Sequence, residues 1–283
     1  MTMENWLIQP GESRVIDTGI VRSLKVALVA GQIDIIGHDE DSARIEVHDV
    51  VGKELKVSIV GDRLEIDHPQ LRWENFLDVF RSFGPNKASA AVSVLVPRSI
   101  DLSFGVVSAD ALISGLTTNA RLSTVNGELQ VDHLSGKLEL NAVSGAMSVQ
   151  DHEGPINVHT VSGDVTASGA LTRFTSDSVS GDVFVDVSGR CERIATNSVS
   201  GDLTARIDAD LGARYVMNAV SGRLQLDDTS IVGMRGRSYS QTTKGTQNFT
   251  VEISANTISG NVTVIRRQDA PTGSPVEADG AAQ

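Results

Sequence analysis

The sequence predicts an all-β fold, a single-stranded parallel β-helix (β-solenoid) of 18–21 residues per coil, and three observations carry that prediction. A glycine returns at Gly127, Gly145, Gly163, Gly181, Gly201, Gly222 and Gly260, with spacings of 18, 18, 18, 20, 21 and 38 residues. The residues two before, two after and four after each glycine are apolar in nearly every copy, while those one and three after are mostly polar, the period of two that marks a strand. The chain is 40% hydrophobic but only 4% aromatic, so its core must be built from Val, Leu, Ile and Ala in thin, regular layers. A repeat of this length that returns the same residue type to the same side suits a coiling chain, each turn stacked about 4.8 Å from the previous one. A right-handed coil follows from the general crossover preference.

Residues 1–267 read as one solenoid domain, with residues 1–100 an irregular start. There SLKVALV, QIDIIG, ARIEVHD, ELKVSIV and RLEIDH read as short strands between Gly- and Asp-containing turns. Between them, LRWENFLDVFRSFG places Trp73, Phe76, Leu77, Phe80 and Phe83 at helical spacing, which predicts one short amphipathic helix over 71–83. An open stack of strands needs a cap, and this helix is the expected one. The alternative is an anchor, with Trp73, Phe76, Phe80 and Phe83 meeting a partner or a membrane surface. Pro97 then resets the chain ahead of the regular coils of 101–267.

Within the repeat, Ser-Gly supplies a positive-φ corner or a close backbone approach between coils, so VSG reads as fold grammar. Four residues before the glycine stand Ser123, Asn141, His159, Asp177, Asn197, Asn218 and Asn256, a column able to hydrogen-bond as a ladder. Asp164, Asp182 and Asp202 follow the glycine in three consecutive units and read as a solvated acidic stripe. Calcium is the weaker reading there, because each coil offers one ligand. Between Gly222 and Gly260 the spacing doubles, predicting an irregular coil with an extended loop. Arg235, Arg237, Tyr239 and Lys244 make that loop a candidate partner-binding segment, and Asp227 and Asp228 are the carboxylates an enzyme would use there. Residues 268–283 read as a disordered tail.

The net charge of −12 repels phosphate backbones, so nucleic acid is not an expected partner. Cys191 is the sole cysteine, which excludes an intramolecular disulfide and a CxxC pair. The six histidines show no metal-ligand spacing, although Asp132-His133 and Asp151-His152 are nineteen apart and could fall nearly above one another as an acid-base or zinc patch. No cofactor or metal site is expected. There is no stretch long and apolar enough for a membrane span, and MTMENWLIQPGESR has neither the basic nor the apolar region of an export signal, so the expected location is cytoplasmic.

LKVALVAGQIDIIGHDEDSARIEV, LKVSIVGDRLEIDHP and VSVLVPRSIDL, followed by serial VSGDV-type units, together resemble the DUF4097 family of adhesin-like bacterial β-strand repeat proteins, from about Leu24 to Arg267. The resemblance implies a parallel β-helix and a non-enzymatic, envelope-associated role in binding a protein or glycan partner. An intracellular scaffold that self-assembles as a homo-oligomer or serves a regulatory partner, and a polysaccharide-active β-helix enzyme, stand as the alternatives.

Overall fold

The computed structural model describes residues 3–69, 88–227, 229–232, 237–246 and 249–267. The helix expected over 71–83, with Trp73, Phe76, Phe80 and Phe83, lies outside them, as does the tail 268–283. Every regular element among the described residues is a strand, and all join one continuous hydrogen-bonded system.

The basic coil is seen in β9 (Ala120–Asn126) and β10 (Leu129–Asp132), which meet at a corner formed by Gly127. A second corner around Gly136 leads into β11 (Leu138–Ser144), which pairs in parallel with β9 exactly eighteen residues on, Leu138 beside Ala120. β12 (Met147–Ser162), β13 (Val165–Ser180), β14 (Val183–Val187), β15 (Arg193–Ser200) and β16 (Leu203–Asp208) continue the coil, their segments alternating between two faces. Seven residues before each corner glycine, Leu138, Ile156, Phe174 and Ile194 stack in register and are fully buried. Leu129, Met147, Val165, Val183 and Leu203 do the same from the other face. Each such aliphatic or aromatic side chain contributes about 1.5–3 kcal/mol by leaving water, so the stack is held by uniform columns.

The corner explains the glycines. Gly181 has φ of 121°, and a Cβ there would lie 2.3 Å from the carbonyl oxygen of Gly163 in the coil below. Successive corners approach too closely for any side chain.

The ends depart from the expected order. β17 (Gly212–Ser221) and β18 (Arg223–Leu226) follow β16 in the chain, yet they do not pair with β15 and β16. The last coil, β21 (Thr250–Ser259) and β22 (Val262–Arg267), is inserted between them, β21 pairing with both β15 and β17 and β22 with both β16 and β18. The 38-residue gap is therefore an excursion. After β18 the chain builds β19 (Thr229–Val232) and β20 (Arg237–Thr243), which pair antiparallel with β18 and β17 as the outermost strands. The extended loop expected here is largely this capping pair.

The opposite end repeats the device. β3 (Ser23–His38) pairs in parallel with β8 (Asp101–Ser114) on one side, and with β6 (Arg63–Asp67) and β7 (Ser89–Pro97) on the other, so the first coil is also sandwiched. Beyond it, antiparallel strands β5 (Leu55–Val60) and β1 (Met3–Ile8) close one face, and β4 (Ser42–Val51) and β2 (Arg14–Ile20) close the other. Both ends thus present short antiparallel strands in place of open parallel edges, which discourages end-to-end pairing.

Candidate functional site

Alternation reverses at the corner glycine. Two residues after it the side chain points into the core, as at Val165 and Val183, but two residues before it the side chain points out. Val125 is only 6% exposed, whereas Val143, Val161, Val179, Val199, Ile258 and Val220 are 42–56% exposed. The sequence reading ran the apolar period through the glycine and grouped this column with the core columns. The corner turns the chain and breaks that parity, with positive φ at Gly127, Gly145, Gly181, Gly201 and Gly222. The odd positions mark the true inner face, because Leu138, Ile156, Phe174, Ile194, Tyr215 and Ile253 are uniformly large and apolar. That was the signal available in the sequence.

The exposed Val column faces the expected polar ladder across a groove of about 900 Å³. One wall holds Asn141, His159, Asp177, Asn197, Asn256 and Asn218, the other the Val/Ile column, with Ala142, Thr160, Ser178, Ser198, Thr257 and Ala219 between. The Asn side chains form a directed ladder: Asn197 donates to Asp177, Asn256 to Asn197 and Asn218 to Asn256, each at 2.7 Å. His159 Nδ1 lies 3.3 Å from Asp177, and among the described residues these two are the only ionisable groups of the lining. From Asn141 to Ser238 of β20 the groove crosses seven strands, about 29 Å at the usual strand spacing. A smaller cavity of about 290 Å³ continues it over Ser123, Val125 and Val106.

The Gly222–Gly260 segment divides. Asp228 and Arg235 lie outside the described residues. Arg237 begins β20; Tyr239 of that strand is half-buried against the core, and Lys244 is exposed beside a polar cavity of about 380 Å³. Asp227 is not a free acid: it accepts from the Tyr215 hydroxyl at 2.7 Å and from Arg266 Nε at 3.0 Å, while Arg266 also donates to the Ala209 and Leu211 carbonyls. Burial, together with the Asp227 carboxylate, pushes the Tyr215 hydroxyl well above its ordinary pKa. This cluster ties the inserted coil to the cap.

The acidic stripe is also structural. Asp164 accepts the backbone N–H of Asp182 at 2.9 Å, Asp182 that of Asp202 at 2.8 Å, and Asp202 that of Asn261 at 2.7 Å, so each carboxylate caps the next corner. His133 sits over Asp151, its Nδ1 2.7 Å from Asp132 and its Nε2 3.6 Å from Asp151, and the hydrogen bond it donates to the Asp132 carboxylate raises its pKa. β10 and β12 stay in register at eighteen residues, Asp132 beside Gln150, while the two Asp-His pairs are nineteen apart, so His152 takes the buried place of Leu134 and the pairs do not meet as a four-group patch. Cys191 is buried and its thiol is pushed up to about 11 by burial, which makes it unreactive at neutral pH.

The sequence profile of the Toastrack DUF4097 family matches residues 21–265, nearly the whole of the two-faced stack. This chain is a member of the Toastrack DUF4097 family. Among solved structures it is similar to a chain named a putative adhesin from Bacteroides fragilis NCTC 9343, with 11% identity over 92% of this Toastrack chain and 100% of the other, at a TM-score of 0.48. It is also similar to a putative adhesin from Parabacteroides merdae ATCC 43184 (11% identity, 92% and 98% covered, TM-score 0.31). A third is a putative lipid binding protein from Parabacteroides distasonis ATCC 8503 (12% identity, 92% and 99% covered, TM-score 0.33). No curated protein sequence matches this Toastrack chain. Among its described residues no helix is long and apolar enough to cross a membrane.

Proposed function

We propose that this protein is a non-enzymatic, adhesin-like binding module whose lateral groove holds an elongated partner, protein or glycan, along the solenoid axis. The observation that carries this reading is the unbroken row of half-exposed Val and Ile side chains facing the polar column of Asn141, His159, Asp177, Asn197, Asn256 and Asn218 over six neighbouring coils. A contiguous apolar strip on a rigid surface, rimmed by polar groups, is the usual mark of an interaction site. Among the described carboxylates, Asp227 is engaged with Arg266 and Tyr215, and the Asp164 column with backbone amides. Envelope association is part of the proposal and follows the family resemblance.

The test compares the wild type with a Val179→Asp, Val199→Asp double variant for binding to isolated cell envelopes of the source organism. Both substitutions lie on the outward column, so the variant is expected to melt like the wild type while losing envelope binding. Binding unchanged in the variant removes the groove as the site.

A further inference from the structure

We infer that the occupant of the groove is a neutral, unbranched polysaccharide lying parallel to the solenoid axis, with one sugar unit per coil. This rests on the groove reading above and names its ligand class.

Dimensions come first. The groove is about 29 Å long and about 7 Å across from one outward residue to the next on the same strand, a footprint on the order of 200 Å². A stable protein interface takes about 800 Å² from each partner, so a folded partner or a second copy is poorly served. Two concave strips of this kind also do not fill one another.

Charge follows. The chain carries −12, and among the described side chains the lining adds one carboxylate, Asp177, with His159 beside it, and no lysine or arginine. An acidic polymer would find repulsion without a cationic anchor.

The chemistry of the two walls then selects among neutral chains. One wall presents methyl groups, the other carboxamides. The ladder uses one donor and one acceptor of Asn197 and Asn256, and a primary amide has a second N–H and further lone-pair capacity. An alkyl chain would cover those groups without bonding them, at a cost in desolvation. An extended peptide returns side chains to one side every ~6.8 Å, out of step with coils ~4.8 Å apart. A pyranose polymer advances by about one ring length per unit, close to the coil spacing, and each ring offers hydroxyls at its rim and C–H groups on its face. Among the described residues the lining has no aromatic side chain for stacking, so each unit binds weakly and affinity grows with chain length.

The experiment is calorimetric titration of the full chain with length series of neutral gluco-, manno-, galacto- and N-acetylglucosamine oligosaccharides, with polygalacturonate, palmitate and an extended Thr-Val peptide alongside. The expected result is an affinity that rises with each added unit of one neutral series and levels off near seven units. It should fall about tenfold in Asn197→Ala, Asn256→Ala and stay unchanged in Val15→Ser on a different surface. No length-dependent binding by any neutral series overturns the proposal. Binding of palmitate, the peptide or the acidic polymer that is lost in Val179→Asp, Val199→Asp also overturns the sugar class while leaving the groove reading intact. A bound sugar unaffected by that double variant overturns both.

Discussion

Asn256 donates its side-chain amide to Asn197 at 2.7 Å although fifty-nine residues separate them, and Asn218 donates in turn to Asn256. Among the described residues the inserted coil is the only parallel partner of β17 and β18, so β17 to β20 depend on residues that come after them in the chain.

Truncation after Thr246 should therefore do more than remove one coil. The expected outcome is loss of amide-exchange protection throughout β17, β18, β19 and β20, with β9 to β14 still protected. Hydrogen exchange read by mass spectrometry checks it, and protection retained in β17 would contradict the interlocked order.

The corner stack predicts a sharp contrast between two glycines. Gly181→Ala forces a Cβ against the Gly163 carbonyl at a positive φ and should cost about 3 kcal/mol or more. Gly189 also has positive φ, at 74°, but open space around it, so Gly189→Ala should cost only about 1 kcal/mol. Urea denaturation of the two variants measures the difference.

Asp186 of β14 receives hydrogen bonds from Arg206 of β16 and from Arg267 of the inserted coil, the latter at 2.5 Å. The Arg206 hydrogen bond is the main cause holding its carboxyl below the ordinary range. Because the folded value is depressed, the stabilisation is present above the unfolded value of about 3.9 and lost as pH falls through the folded one. Asp186→Asn should cost about 1 kcal/mol at pH 7, since both guanidinium groups remain partly solvated. The gap to wild type should close in strong acid, as thermal melts across pH would record.

His68 behaves with the same sign for a different reason. Its ring is fully buried, Nδ1 accepts the Val29 N–H at 3.2 Å, and burial lowers its pKa to about 4. The unfolded chain takes up the proton first, so stability present above pH ~6.5 declines toward pH ~4 by an amount on the order of 3 kcal/mol. A His68→Gln variant should show a shallower decline over that window; an identical slope would refute the assignment.

The coil, its period and its corner glycines were legible in the sequence because every copy faces the same packing problem. Three things were not. The position of the inserted coil was hidden because Gly222 and Gly260 lie 38 apart whether the intervening chain loops out or caps the stack. The outward facing of Val143 to Val220 was hidden by the parity change at each glycine. The Asp164 column is exposed, as the sequence reading had it, but its capping role was hidden, since a carboxylate that also caps the backbone of the next coil has the same spacing as one that meets only water. Of the residues first singled out for partner binding, Arg237 and Tyr239 belong to β20 of the cap and Lys244 follows it, Trp73, Phe76, Phe80, Phe83 and Arg235 lie outside the described residues, and the groove lies on the coils themselves.

The interlocked ends also fix where such a molecule can grow. A duplication at either terminus would have to thread a new coil between strands that already hold both neighbours. A duplication of eighteen residues between Gly127 and Gly181 adds one rung to each face and leaves both closures intact. Length, and with it the reach of the groove, is therefore set from the middle of the chain. Relatives of different size should differ in the number of central rungs while keeping the same two knots of chain at their ends.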